Sequence, residues 1–168
     1  MYQVEDAVLY GSDGLCWISD IVTKDFCGTP TEYYVLKPVR QEASLIYVPV
    51  GNEALVHKMR PVLPEKDVLA LIEGMPDEEA RWIEDHDERK MVYREILATG
   101  DRSGLIRMIK SLYLHEQEMK GSGKHLRAVD ERFFKEAERL LYDEFALVLG
   151  LEPDQVLPFI RKRLEDAG

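Results

Sequence analysis

Four histidines and two cysteines are the residues of this chain with the chemistry for catalysis or metal binding. The histidines are scattered through charged surroundings, at His57, His86, His115 and His125. No serine or cysteine nucleophile stands at an interpretable interval from any of them. Cys16 and Cys27 form neither a CxxC pair nor a zinc pattern, so we expect both to be reduced thiols. The sequence therefore predicts no catalytic residue, no metal and no cofactor, and a small hydrolase or nucleic-acid-modifying enzyme built on the histidines is the alternative.

One short segment has the composition of a phosphate-binding loop. Gly121-Ser122-Gly123-Lys124 ends in the Gly-Lys pair of such loops, but it lacks the full GxxxxGK[ST] pattern and a preceding strand. We therefore interpret it as a hinge between two helices.

The charged residues are distributed in two opposite blocks. The chain has a net charge of −10, and residues 65–89 hold ten acidic and three basic side chains. Residues 102–135 hold eight basic and four acidic side chains, and His115 and His125 lie among them. Because proteins bind the phosphate backbone mainly through Lys and Arg, any nucleic-acid contact is expected in this basic segment. Its other interpretation is an ordinary solvated surface of helices.

Trp82 stands apart from the apolar positions of its surroundings. Residues 84–90 contain only charged side chains and His86, so they separate Trp82 from the apolar stripe that follows, which is Tyr93, Ile96 and Leu97. The tryptophan either packs on a neighbouring element as a satellite core or is exposed near a helix start. In the second case it could stack on a nucleobase or wedge beside one.

The first 63 residues have the pattern of a small β domain. β-branched and aromatic residues alternate with turn sequences, and this predicts strands at about 7–10, 15–24, 32–39, 44–49 and 56–62. Closing five short strands into a barrel would remove the exposed edges, so we expect a compact β-barrel. Its predicted core consists of Val8, Tyr10, Leu15, Ile18, Ile21, Tyr34, Leu36, Ile46, Val48 and Leu55.

From Pro64 onward the apolar period becomes helical. Helices are predicted from Pro64 to Gly74, from Asp77 or Asp85 to Gly100, from Asp101, from about Asp130 to Gly150, and from Pro153 to about Arg163. The predicted class is α+β, with a β-barrel domain at residues 1–63 and a helical domain at 64–168. With no signal sequence and no apolar run of membrane length, we expect a cytoplasmic protein without membrane contact.

Several segments resemble one family in both content and order. In the first half they are Val-Glu-Asp-Ala-Val-Leu-Tyr-Gly-Ser-Asp-Gly at 4–14, Cys-Gly-Thr-Pro-Thr-Glu-Tyr-Tyr-Val-Leu-Lys-Pro at 27–38 and Ile-Tyr-Val-Pro at 46–49. In the second half they are Trp82, Leu-Ala-Thr-Gly-Asp at 97–101, Ile-Lys-Ser-Leu-Tyr at 109–113 and Asp-Glu-Arg-Phe-Phe-Lys-Glu-Ala at 130–137. Together they resemble the CarD family of bacterial transcription regulators, whose N-terminal module is shared with the transcription-repair coupling factor.

The resemblance implies a bridging function in transcription. A Tudor-like barrel would bind the RNA polymerase β subunit, partly by strand addition, through Lys24, Tyr33 and Tyr47. The helical domain would reach the upstream edge of the promoter bubble, where Trp82 wedges into the minor groove and stabilises or remodels the open complex. The implied DNA-binding set is Trp82, Arg81, Arg89, Lys90, Lys110, Lys120, Lys124 and Arg127. The protein would be monomeric when bound and nucleoid-associated through polymerase.

Charge constrains how such a protein reaches DNA. A chain of net charge −10 is expected to bind free duplex weakly. Once held by polymerase, its helical domain would meet the promoter at an effective concentration of roughly millimolar order. The alternative is a protein–protein adaptor, which binds polymerase and recruits a partner without contacting DNA.

Overall fold

The computed structural model describes residues 1–26, 28–41 and 43–167, without the side chain of Ala167. The chain divides into two compact units, Met1–Val62 and Leu63–Gly168, and each is described by itself. Cys16 is a buried thiol that donates a hydrogen bond of 3.5 Å to the Gly14 carbonyl, while Cys27 lies outside the described residues.

The N-terminal unit contains a five-stranded antiparallel sheet. Its strands are β1 (Ala7–Tyr10), β2 (Gly14–Lys24), β3 (Thr31–Pro38), β4 (Ile46–Pro49) and β5 (Met59–Pro61), and their order is β4-β3-β2-β1-β5. A 3₁₀ turn at Gly11–Asp13 joins β1 to β2, and Gly14 follows it at φ 75°, a backbone angle that favours glycine. The long β2 shifts register against β3 between Ile18 and Asp20, which marks a bulge.

Closure of this sheet into a barrel, which the sequence predicted, is not confirmed. Strands β4 and β5 are the two ends of the sheet order, and no pairing among the described residues joins them. The segment predicted as a strand from residue 56 instead begins with a short helix, α1 (Glu53–Val56), because the Asn52 side chain accepts a hydrogen bond of 3.1 Å from the Leu55 amide. Strand β5 is thereby limited to three residues. The two end strands therefore leave short open edges, four residues long at β4 and three at β5.

The core of the N-terminal unit follows the predicted alternation. Six of the predicted residues are buried, namely Val8, Leu15, Ile18, Tyr34, Leu36 and Val48. All of these except Leu15 belong to one core cluster, and the other four, Tyr10, Ile21, Ile46 and Leu55, are partly buried and pack against that cluster. Cys16 and Met59 complete it as buried residues that the sequence analysis did not include.

The second unit is a bundle of five helices. They are α2 (Glu65–Glu73), α3 (His86–Thr99), α4 (Arg102–Gly121), α5 (Ala128–Leu149) and α6 (Pro153–Ala167). The predicted boundaries are confirmed where capping chemistry is strong: Asp85 and Asp101 accept hydrogen bonds from the first-turn amides of α3 and α4, and Gly100 and Gly150 end α3 and α5 in the left-handed conformation. None of the described helices has the length and apolar content to cross a bilayer.

A buried ion pair fixes the start of this unit to its longest helix. The Glu144 carboxylate is 1% exposed, and it accepts hydrogen bonds of 2.7 and 2.6 Å from the Arg102 guanidinium. It also accepts one of 3.0 Å from the Leu63 amide. The carboxylate therefore joins α4, α5 and the first residue of the unit.

Tyr93 contributes a buried hydroxyl that makes no hydrogen bond with any described residue. Replacing it by phenylalanine is expected to raise the free energy of unfolding by about 1 kcal/mol, because burying an unpaired hydroxyl costs about 1–3 kcal/mol. Burial raises the pKa of Tyr93 from 10.0 to about 12. The stability that this raised pKa contributes is therefore fully present below pH 10. It is lost as the pH rises towards 12, since the tyrosine of the unfolded chain ionises first.

Urea unfolding at neutral and alkaline pH measures both effects. Tyr93→Phe should be more stable than the parent at pH 7 and should lose less stability above pH 10. The loss that persists reflects the other tyrosines whose pKa is raised by burial, namely Tyr2, Tyr10 and Tyr142. The control is Tyr113→Phe, which should leave the free energy of unfolding unchanged because Tyr113 is 43% exposed. Destabilisation by Tyr93→Phe at neutral pH would show that the hydroxyl has a favourable partner.

Candidate functional site

The segment before α3 is held along one face of α4. This Trp82 loop, residues 78–85, follows a 3₁₀ turn at Met75–Asp77. The Lys110 ammonium donates hydrogen bonds of 3.0, 3.0 and 2.7 Å to the carbonyls of Met75, Pro76 and Glu78. One residue further on, the Ser111 hydroxyl donates to the Arg81 carbonyl at 3.3 Å. Successive residues of α4 thus fix successive points of the loop.

Trp82 itself is held by an aromatic stack. Its indole lies parallel to the His115 imidazole, with ring centroids 3.6 Å apart and an interplanar angle of 6°. His115 follows Ser111 by four residues on α4 and therefore shares its face. Trp82 is half-buried and packs against the core of the helical unit.

The second partner of Trp82 is Arg89, which is only 2% exposed. Its guanidinium carbon lies 4.5 Å from the indole centroid. Its nitrogens donate two hydrogen bonds of 3.0 Å to the buried Asp130 carboxylate and one of 2.8 Å to the Ile83 carbonyl. The His86 Nδ1 lies 2.7 Å from the same guanidinium. This bidentate pair joins α3 to α5 and places a cation against the indole.

His115 and Arg89 approach the indole of Trp82 from opposite faces. An imidazole stacked at 3.6 Å fills one face, so a guanidinium 4.5 Å from the same centroid has room only on the other. Trp82 also lines a cleft of about 730 Å³. Apolar side chains such as Ile83, Val92 and Ile96 form part of its lining, and the acidic residues that line it are Glu79, Glu84, Asp85 and Glu88.

Asp85 has a structural function at this cleft. Its carboxylate caps α3 and accepts hydrogen bonds of 2.9 and 3.1 Å from the amides of Asp87 and Glu88. Those amide hydrogen bonds lower the pKa of Asp85, mainly through Glu88. The residue therefore keeps its negative charge beside Trp82 at physiological pH.

Two residues of the predicted DNA-binding set have structural contacts instead. Arg89 is buried and paired with Asp130, and the Lys110 ammonium is occupied by three carbonyls. Arg89 is not presented to solvent, and breaking its pair would leave the buried Asp130 carboxylate without its partner. Lys110 is half-buried, and its three N–H donors are used by the three carbonyls. These contacts make both residues supports of the Trp82 loop, and their predicted contact with DNA stays a prediction.

The other predicted cations lie at the surface. Arg81, Lys120, Lys124 and Arg127 are exposed, and Lys90 is half-buried. Lys120 pairs with Glu116 at 3.6 Å, whereas the side chains of Lys124 and Arg127 form no ion pair with any described residue. Within the same basic segment, Arg102 pairs with Glu144 and Arg107 with Glu78. The cations available for phosphate thus include Arg81 and Lys90, close to Trp82 in sequence, and Lys124 and Arg127 in the α4–α5 turn, residues 122–127.

The α4–α5 turn lies at the same end of the helical unit as Trp82. His115 on α4 stacks on Trp82, and Asp130 on α5 holds the arginine beside it. Lys120 follows His115 by five residues, about 8 Å along the helix axis, and Arg127 precedes Asp130 by three. Packing thus brings the tryptophan of the acidic segment next to the cations of the basic segment.

An aromatic cluster marks the surface of the N-terminal unit. Tyr33 on β3 and Tyr47 on β4 lie on the same face of the sheet, with ring centroids 6.0 Å apart. Phe26 lies 5.3 Å from each of them. Tyr47 is 37% exposed, and Phe26 is 58% exposed even though its side chain is wholly apolar. The predicted residues Tyr33 and Tyr47 are thus brought together, and Lys24 is the exposed last residue of β2, two positions before Phe26.

Phe26 is the member of this cluster that the sequence analysis missed. It follows the end of β2 in a turn, where a single exposed phenylalanine gives no periodic signal. Edge-to-face aromatic contacts favour such clusters by about 0.5–1.5 kcal/mol per pair beyond area burial. The three rings form one amphipathic patch beside β4, which is an end strand of the sheet.

No group of three or more His, Cys, Asp and Glu side chains is arranged for a metal ion within the described part of the chain. A comparison with protein families gives a positive result for the N-terminal unit. The family model described as CarD-like/TRCF RID domain matches residues 2–63. This match covers all five strands and the aromatic cluster. The N-terminal unit is therefore similar to the CarD-like/TRCF RID domain, and this similarity suggests a protein that interacts with RNA polymerase.

Proposed function

We propose that this protein is a non-enzymatic transcription regulator that holds the RNA polymerase β subunit with its N-terminal unit and contacts the upstream edge of the promoter bubble with its helical unit. The contact stabilises or remodels the open complex. The sheet acts as the Tudor-like module of the CarD family. The single observation that carries the DNA contact is the placement of Trp82 beside the cations of the α4–α5 turn.

The polymerase contact is supported by the aromatic cluster at the β4 end of the sheet. An end strand can pair with a strand of a partner through main-chain hydrogen bonds, which place few demands on side chains. Phe26, Tyr33 and Tyr47 add apolar area with polar tips, as is typical of binding hot spots. Lys24 supplies a positive charge at the same end of β2.

Two features of the helical unit support the DNA contact: the indole edge of Trp82, and exposed cations that could bind phosphates. Trp82 presents an indole edge suited to a base step that is already unstacked. Lys120 lies about 8 Å along α4 from His115, which stacks on Trp82. Lys120, Lys124 and Arg127 are exposed. The acidic residues at the Trp82 cleft repel phosphates, so the tryptophan enters from the side on which the α4–α5 turn meets the backbone.

Tethering explains how an acidic chain acts on DNA. With a net charge of −10, the free protein is repelled by duplex at long range. Bound to polymerase, it presents the helical unit to the promoter at an effective concentration of roughly millimolar order. A weak wedge is then sufficient, and its position on DNA is set by polymerase instead of base readout.

Trp82→Ala tests the proposal. We expect it to shorten the lifetime of polymerase–promoter open complexes about tenfold, corresponding to about 1.4 kcal/mol, while polymerase affinity stays unchanged. Competitor-challenge kinetics measure the lifetime, and a pull-down of the full chain measures affinity. The matched control is Trp17→Phe, a 41% exposed tryptophan of the N-terminal unit. An unchanged lifetime at saturating Trp82→Ala would remove this residue from the mechanism.

The acidic residues at the Trp82 cleft favour a second candidate function. They suit a basic segment of another protein, which would make the chain an adaptor that binds polymerase without contacting DNA. Substituting Lys124 and Arg127 by glutamate separates the two. A DNA-contacting regulator should lose open-complex stabilisation, whereas an adaptor that uses only the acidic cleft should keep it.

A further inference from the structure

We infer that His115 is a positioning residue: by stacking on Trp82 it covers one face of the indole, so the tryptophan acts through its edge and does not stack face-on with a base. The inference rests on the proposed function for its consequence in transcription. We call the arrangement of His115 on one face of Trp82 and Arg89 on the other the clamp. It is a property of the free chain.

The opposite side of the clamp is rigid. Arg89 is fixed by two hydrogen bonds of 3.0 Å to Asp130, and a third of 2.8 Å ties it to the carbonyl of Ile83, the residue after Trp82. The guanidinium therefore contacts both the ring and the backbone of the Trp82 loop. Five N–H donors in a fixed fork suit arginine to this position, where lysine could not make the same contacts.

His115 has the complementary position on α4. Its side chain is 24% exposed, and its Nδ1 lies 3.9 Å from the carboxylate of Glu118, one turn later on the same helix. Ser111, one turn earlier, holds the backbone of Arg81. The imidazole is thus supported by a helix that also fixes the preceding residue of the loop, and it meets the indole at 6° from parallel.

The clamp determines how Trp82 can act. A base that stacked on the indole would need one of its two faces, and those are occupied by His115 and by a guanidinium whose removal would strand the buried Asp130. Edge insertion requires neither to move. A preordered ring also loses less conformational entropy on binding than a free one.

The first test uses the full chain without polymerase. Trp17→Phe leaves Trp82 as the only tryptophan, because the chain has two. In this background His115→Ala should increase acrylamide quenching of Trp82 and its nanosecond motion in anisotropy decay, while His115→Phe, which keeps a flat ring, should restore both. Equal quenching and motion in the parent and in His115→Ala would overturn the clamp. Far-UV circular dichroism establishes that the variants are folded.

The second test uses polymerase–promoter complexes. His115→Ala should shorten the open-complex lifetime by about 2- to 10-fold, the range that corresponds to one aromatic pair, and His115→Phe should rescue it. A lifetime unchanged by His115→Ala, while Trp82→Ala shortens it, would overturn the positioning function. If Trp82→Ala also has no effect, the proposed function fails, and the fluorescence result still decides the clamp.

A fluorescent base analogue distinguishes edge insertion of Trp82 from face-on stacking on a base. With 2-aminopurine at the upstream fork, face-on stacking by Trp82 would quench its emission, and Trp82→Ala would relieve that quenching. We expect no Trp82-dependent quenching beyond that explained by opening of the fork. Direct quenching that disappears in Trp82→Ala would contradict edge insertion.

Discussion

Replacing Arg89 by alanine is expected to lower the free energy of unfolding of the helical unit by about 3–5 kcal/mol. The variant leaves the Asp130 carboxylate, 3% exposed, without its partner in the core. It also frees the Ile83 carbonyl and removes the cation from the indole of Trp82. Urea unfolding followed by circular dichroism measures the change.

The control for this prediction is an ion pair of the same charge type on the surface. Lys135 and Glu131 pair at 3.3 Å on α5 with both side chains more than half exposed. Lys135→Ala should cost no more than about 0.5 kcal/mol, because water already solvates the freed carboxylate. Asp130→Asn should also lower the free energy of unfolding, because it leaves the buried Arg89 without its carboxylate partner. A loss below about 1 kcal/mol for Arg89→Ala would mean that the pair is solvated and does not hold the Trp82 loop.

Removing the rings of Phe26 and Tyr47 together is expected to weaken polymerase binding by about 30- to 1,000-fold, the effect of losing one hot spot of 2–4 kcal/mol. The two rings contact each other and Tyr33, so neither variant alone removes the patch. Phe26→Ala with Tyr47→Ala removes all three ring contacts and should lower the unfolding free energy of the unit by about 0.5–1.5 kcal/mol per contact, so circular dichroism is used to establish that the variant is folded. Biolayer interferometry of the full chain with core polymerase measures the affinity.

Val39→Ser serves as the matched control for the aromatic patch. Val39 is an exposed apolar residue of the same unit, following β3, and it is not part of the cluster. It should bind polymerase like the parent. If the double variant also binds with unchanged affinity, the polymerase contact lies elsewhere on the sheet.

Local signals made the helices predictable. Asp85 and Asp101 cap α3 and α4, and Gly100 and Gly150 end α3 and α5, each through contacts within a few residues of the chain. The strands β1 to β4 were predicted for the same reason, because alternation of apolar residues is a local pattern. Helix α1 was missed, since its four residues carry no period and depend on the cap of Asn52.

The candidate site could be predicted only in part. Trp82 was identified because it stands apart from the apolar stripe of its segment. Its partners were not, because His115 is 33 residues away on α4 and Arg89 lies at the far end of a run of charged residues. In sequence, Arg89 and Lys110 are ordinary cations of mixed-charge segments. Only packing shows that one pairs with Asp130, 41 residues away, and that the other binds three carbonyls, while Lys124 and Arg127 stay exposed.

Photo-crosslinking from position 81 tests the central claim most directly. Arg81 is exposed and adjacent to Trp82, so a benzophenone side chain placed there samples what the tryptophan meets without disturbing the clamp. Crosslinking is carried out with the full chain and promoter DNA, with and without RNA polymerase. The account predicts a crosslink to the upstream fork that requires polymerase and disappears when Phe26 and Tyr47 are replaced. A crosslink of equal yield without polymerase, or none to DNA in its presence, would contradict it.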